Sequence, residues 1–348
     1  MCMCDYLPCS DAVVPIDRWI RFRLENIFVY PNKISVPPAK ILLFVLAGLG
    51  FAAVLVLSLS TLVAPKAAAA CPTFQPPQQM GTLDNAALKE VSGMAASRRH
   101  PGVLYVHNDG SEAGTLVYAI TEQGDTLATY QLADVEPEDV EAIAVGPGPE
   151  QGMHYLYLGD IGSNEGRSSV EIYRVPEPEA QHQTKTQRVK DVTTLRLEYP
   201  DGKYDAEALM VDSNQDLYIV TKNGKTGESR VYRKAAAADS TELEHVATLN
   251  FGQGLLGESK AVTGGDISAQ GTEAVLRTYH SAFLWRRAQG KTWAATFADP
   301  LALCSVPTAP LEWDGYEAIA FDHTGMHYYD TYEERSSGAP VNRYDRSE

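Results

Sequence analysis

Past residue 85 the apolar positions fall in short β-branched and aromatic runs, cut by Gly, Pro, Asn and Asp. Runs of that length and makeup predict strands, and no long helical period interrupts them, so the body of the chain reads as all-β. The runs also recur in order. A small apolar type follows a polar residue at Ser92-Gly-Met-Ala, Glu141-Ala-Ile-Ala, Glu207-Ala-Leu-Met, Gly265-Asp-Ile-Ser and Glu317-Ala-Ile-Ala. A second type ends polar, at Asn108, Asp160, Thr221, Thr278 and Thr331. A third carries an aromatic in a fixed place, at Tyr118, Tyr173, Tyr232, Trp285 and Tyr344.

Those aromatics lie 55, 59, 53 and 59 residues apart. The period suits four strands plus loops, so five aromatics predict a five-bladed β-propeller, with room for a sixth blade if one repeat is degenerate. Outer strands are legible near Thr126 and Val246. After Tyr344 only four residues remain. The last blade must therefore borrow its outer strand from Met80 to Leu83, which would close the ring and remove its open edges.

Hydropathy changes the picture at the N-terminus. Ile41 to Ala64 is an uncharged apolar stretch, and as a helix it spans about 36 Å, enough to cross a bilayer core. Five Lys or Arg precede it within 23 residues, at Arg18, Arg21, Arg23, Lys33 and Lys40. The positive-inside rule then puts the N-terminus in the cytoplasm and the propeller outside. The expected organisation is a cytoplasmic tail over 1–40, a transmembrane anchor over 41–64, a linker over 65–78 and the propeller over 79–348. The competing expectation is a cleaved signal sequence and secretion, given the small residues Ala67 to Ala70, although a charged region of 40 residues is long for one.

Cysteine usage follows the same line. Cys2, Cys4 and Cys9 fall on the cytoplasmic side, Cys71 and Cys304 outside. Two cysteines in an oxidising space read most simply as one disulfide, the alternatives being two reduced thiols or an acylated Cys71.

Net charge is -16 for the chain, and the six basic and four acidic residues up to residue 70 leave -18 on the rest. An acidic body repels phosphate backbones, so nucleic acid is excluded as a partner while cations, small ligands and basic proteins are favoured. No Gly-x-Ser-x-Gly, P-loop or His-Glu-x-x-His occurs, which leaves serine hydrolase, NTPase and zinc-protease readings unsupported.

The motifs Glu90-Val-Ser-Gly-Met-Ala-Ala-Ser-Arg-Arg, His107-Asn-Asp-Gly, Glu138-Asp-Val-Glu-Ala-Ile-Ala, Gly159-Asp-Ile-Gly-Ser-Asn, Asp205-Ala-Glu-Ala-Leu and Glu317-Ala-Ile-Ala resemble those of an uncharacterised family of exported bacterial β-propellers. That family is similar to phytase-like and esterase-like propellers. The resemblance covers about residues 71 to 330 and implies a bacterial exported protein. It supplies no catalytic residue, and Ser163 stands where the family pattern has Asp.

In a propeller the innermost strand of each blade lines the channel, and residues two apart share a face. In register, the expected channel-facing pairs are Glu90 and Ser92, Asp139 and Glu141, Asp205 and Glu207, Thr263 and Gly265, and Gly315 and Glu317. Asp266 falls out of phase and is expected to point elsewhere. Carboxylates crowded on one axis repel unless a cation, protonation or water offsets them. Calcium fits best, since it takes six to eight hard oxygen ligands. Glu90, Asp139, Glu141, Asp205, Glu207 and Glu317 are the candidate metal ligands, with a merely water-filled polar channel as the competing reading. Asn108, Asp109, Asp160, Lys222 and Arg277 are candidate ligand-binding residues near the same mouth. His107 with Asp109 is a weaker acid-base candidate, and Pro176 onward and Ala235 to Ala238 read as loops.

Two functions follow. One is a monomeric, membrane-anchored module that binds a cation, a small ligand or a basic partner through its acidic mouth. The other is a calcium-dependent ester or phosphoester hydrolase in which Lys222 and Arg277 meet the leaving oxyanion.

Overall fold

A computed structural model describes residues 70–347 except 112–114, 164, 253–259, 310–314 and 334–337. The apolar stretch over 41–64, the tail and Cys2, Cys4 and Cys9 lie outside the described residues. Among the described residues no helix is long and apolar enough to cross a membrane.

The described strands form five sheets, each a blade with its innermost strand first in sequence. Strand β1 (Gln78–Thr82) is set aside for the last blade. Blade 1 holds β2 (Val91–Ala96), β3 (Val103–Asn108), β4 (Leu116–Thr121) and β5 (Thr126–Leu132). Blade 2 holds β6 (Val140–Pro147), β7 (His154–Asp160), β8 (Ser169–Pro176) and, after the short β9 (Gln187–Val189), β10 (Thr193–Glu198). Blade 3 is β11 (Ala206–Val211), β12 (Leu217–Thr221), β13 (Glu228–Lys234) and β14 (Glu244–Asn250). Blade 4 is β15 (Val262–Ile267), β16 (Glu273–Thr278), β17 (Ala282–Arg286) and β18 (Leu303–Val306), with α1 (Trp293–Phe297) before its outer strand. Blade 5 is β19 (Tyr316–Phe321), β20 (Tyr328–Tyr332) and β21 (Pro340–Tyr344), completed by β1 running antiparallel to β21.

The borrowed outer strand is therefore real. It covers the edge of β21 and ties the segment ahead of blade 1 into blade 5, which is how a ring built from consecutive repeats closes on itself. The disulfide adds a covalent tie nearby. Cys71 and Cys304 are bonded, joining the segment ahead of β1 to the outer strand of blade 4. The expected linker is docked from Ala70 on: Ala70 accepts from Arg286, Phe74 bridges to Arg346, and the Gln75 N–H donates to Asp345.

Each recurring aromatic is buried, and packing of neighbouring blades makes apolar clusters between them. Tyr232, for instance, joins Tyr199 and Leu209 in one cluster, while Trp285 joins Ala208 and Phe297 in another. The loop from Pro176, expected as a plain connection, is a clasp. It leaves blade 2, lays β9 parallel to β5 of blade 1, and takes hydrogen bonds from Tyr105 to Pro178 and from Tyr130 to Glu179. A run of Pro, Glu and Gln carries no alternation that could announce such a docking.

Candidate functional site

All five innermost strands break register at the same place. The shifts fall between Val91 and Gly93, Val140 and Ala142, Ala206 and Ala208, Val262 and Gly264, and Tyr316 and Ile319. A bulge re-aims the extra residue and tightens the local twist. The residues so singled out are Ser92, Glu141, Glu207 and Thr263, with Glu317 and Ala318 in the fifth blade. The ring is thus one polar side chain per blade, each buried. In blade 4 the sequence register is off by two: Thr263, not Gly265, is the counterpart of Glu141 and Glu207.

The ring closes tightly beneath these side chains. Ser92, Met94, Glu141, Glu207, Gly264 and Ile319 line a cavity of about 10 Å³, room for a single water at most. A Cβ on Gly264 would lie 2.4 Å from the Glu317 carbonyl, so only glycine allows the strands this close. At this level the cavity is too small for a wide water-filled channel. At the far end Arg98 of blade 1 reaches across to β15 of blade 4, with its guanidinium 3.8 Å from Asp266 and hydrogen-bonded to the Ile267 carbonyl. Asp266 points away from the mouth, as its phase implied, and accepts from the Phe321 N–H.

Around the mouth, the structure draws three carboxyl groups into one cluster. Asp109, Asp139 and Glu141 offer oxygens that all lie within 4.8 Å of one another. That is about twice a calcium–oxygen distance of ~2.4 Å, so a single hard cation fits among them. Ser92 supports Glu141 from the neighbouring blade, its hydroxyl 2.8 Å from Oε2. Gly162 is pressed against the same pair, and a Cβ there would meet the Glu141 side chain at 2.5 Å.

Electrostatics follow from this crowding. Burial, then the charges of Asp109 and Asp205, push Asp139 up to about 6. Burial, then Glu207, raises Glu141 well above the usual carboxyl range, and burial, then Glu333, does the same for Glu317. Burial likewise raises Glu207, against the pull of Lys222. Lys222 stands 2.6 Å from one oxygen of Glu207 and lies over the Tyr279 ring at 5.5 Å. The other oxygen of Glu207 has no hydrogen-bond partner.

Of the candidate metal ligands, Asp139 and Glu141 belong to the cluster, joined by Asp109. Glu207 is held by Lys222, Glu317 shares the buried ring, and Asp205 accepts from the Ser163 N–H. Glu90 is exposed, and its carbonyl accepts from Asp109 N–H. Two of the candidate ligand-binding residues work as clamps. Asn108 accepts from the N–H groups of Lys89 and Glu90, and Asp160 accepts from those of Glu138 and Asp139. Each fixes the chain just before an innermost strand, so a polar residue ending the second strand is explained by the turn it holds. Arg277 is fully buried between Asp330, at 2.7 Å, and the Tyr316 ring. His107 is buried too, its Nδ1–H donating to the Asn108 carbonyl, and desolvation pulls it down to about 4. It makes no pair with Asp109 that any contact supports.

Tyr279 and Glu333 went unread in the sequence, and Asp109 was read outside the metal set. All three, with Lys222, directly follow the second strand of their blades, and the N–H groups of Asp109, Lys222 and Glu333 donate to Glu90, Asp205 and Gly315. Aligning the residue after each polar strand end, rather than the end itself, would have found Asp109 and Tyr279; Glu333, two places past Thr331, comes into line only with the observed end of β20 at Tyr332.

No family model and no curated protein matches this chain. Solved structures do. The PQQ-bound aldose sugar dehydrogenase of Streptomyces coelicolor aligns with 80% of this chain and 100% of its own, at 11% identity and a TM-score of 0.45. The Cps50 (Swd1) β-propeller domain of Myceliophteria thermophila aligns with 73% of this chain and 72% of its own, at 13% identity and a TM-score of 0.35. At these scores neither carries an argument about function. The chain is a five-bladed β-propeller on the pairing of its own strands.

Proposed function

We propose that this propeller is a cation-binding module whose acidic mouth holds calcium between Asp109, Asp139 and Glu141. A chain anchored through residues 41–64 would present that mouth outside the cytoplasm to a small ligand or basic partner. The observation that carries the reading is the cluster itself, three carboxyl groups within 4.8 Å of one another. Donors that would satisfy a purely structural carboxylate are few here, whereas a hard dication supplies the missing charge and accepts a mixed set of carboxylate, hydroxyl and water oxygens. The hydrolase alternative asked Arg277 to meet an oxyanion, and its complete enclosure removes that part of the mechanism.

Calcium titration of the purified protein tests the proposal. An ion that binds only the folded ring stabilises it by about 2.7 kcal/mol at 100 times its dissociation constant. Melting temperature should rise with calcium and fall with chelator, and Glu141→Gln should abolish the response without lowering stability in chelator. A melting curve indifferent to both reagents, with no heat of binding, would sink the reading.

A further inference from the structure

We infer that the mouth contains two cation positions, and that the ammonium group of Lys222 permanently fills the second, at Glu207 and Glu317. The inference rests on the calcium reading of the first position but concerns different residues. Lys222 is the residue following β12, at the place in its blade that Asp109 holds in blade 1. Its Nζ is 2.6 Å from Glu207, and the Tyr279 ring faces it at 5.5 Å. Carboxylate on one side and an aromatic face on the other is how proteins hold a cation.

The position is not filled to completion. Glu207 is 2% exposed and its second oxygen lacks any hydrogen-bond partner, while the residue lines the small cavity at the ring. A buried carboxylate kept for structure alone is normally saturated with donors. The influence of the ammonium group also extends around the ring, easing the charges of Asp109 in blade 1, Asp205 and Glu207 in blade 3, and Glu317 in blade 5. A tethered cation costs no translational entropy to bind. It neutralises one half of the mouth at all times and leaves the other half to a diffusible ion.

Isothermal titration with calcium chloride, in chelator-treated protein, decides the matter by stoichiometry. Wild type should bind one ion per chain. Lys222→Gln should bind two, the first at least about tenfold tighter, because a neighbouring positive charge no longer repels it. The double variant Glu207→Gln with Lys222→Gln should return to one. If Lys222→Gln binds one ion with unchanged affinity, or loses binding, the second position does not exist. Should wild type bind none, the calcium reading fails by itself; uptake of an ion by Lys222→Gln would still support this inference and no uptake would overturn it. Lys222→Gln that folds only in calcium should carry two ions per chain by metal analysis after desalting. A variant that folds in neither chelator nor calcium overturns the inference, since the ion is expected to take the place of the ammonium group.

Discussion

Asp330 and Glu207 are both buried acids of this ring, and they are built on opposite plans. Asp330 is fully enclosed and takes three donors, Arg277 at 2.7 Å, the Tyr344 hydroxyl at 2.8 Å and Asn342 at 3.0 Å. Glu207 is nearly as enclosed and has Lys222 on one oxygen and nothing on the other. A carboxylate buried to hold blades together is saturated. One left with spare acceptor capacity, beside Glu141 and Glu317 in the same condition of like-charge crowding, costs stability, a cost that the proposed cation would offset.

The largest effect should separate these two plans directly. Asp330→Ala strands the Arg277 charge in the interior and should cost about 3–5 kcal/mol in urea unfolding. Glu207→Gln, at an equally buried position, should cost less than about 1 kcal/mol in metal-free protein, because it relieves repulsion from Glu317 while it gives up the Lys222 pair. Equal losses in the two variants would break the comparison.

The comparison presupposes a closed ring, and closure is tied by Cys71 and Cys304 across 233 residues of chain. Cys304→Ser should lower stability by about 2–4 kcal/mol, while leaving any calcium response in place. Peptide mapping without reductant should recover the linked pair, and two free thiols would contradict it.

A smaller effect sharpens the contrast between the two ends of the channel. Asp266 is pushed up to about 6 by burial, with Arg98 pulling against the rise. A carboxyl whose folded value is raised favours the folded state when protonated, so its ionisation penalty is fully present above pH 6 and relaxes as pH falls from about 6 toward 4. Arg98→Met removes the opposing cation and should cost about 1–3 kcal/mol at pH 7, with the deficit narrowing at pH 5. His107, pulled down to about 4, works the other way and weakens the folded state as pH falls below its ordinary 6.5. Both proteins share it, so it cancels in the difference. A deficit independent of pH would show that Arg98 does not act through Asp266.

Much of the architecture was legible from local pattern, because a blade is four short strands and each leaves its own period-2 signature. The spacing of Tyr118, Tyr173, Tyr232, Trp285 and Tyr344 counted the blades, the shortage of residues after Tyr344 implied the borrowed strand, and compartment logic paired Cys71 with Cys304. The glutamates of the ring were legible for the same reason. Residues whose role depends on a neighbour from another blade were not. Arg277 reads as a candidate ligand-binding cation until the fold sets Asp330 against it, 53 residues away in sequence.

Sequence by itself determined the class of fold, the number of repeats and the glutamates of the innermost strands, all of which follow from runs of a few residues. Only the tertiary structure decided which acids meet. The bulge shared by the five innermost strands rotates one polar side chain per blade into the ring, and a bulge is a property of pairing between strands, invisible to alternation within one. It placed Thr263 where Gly265 was expected, gathered Asp109 with Asp139 and Glu141, and set Lys222 against Glu207. Charge balance at a site is a sum over neighbours in space, and the chain fixes those neighbours only when the ring closes.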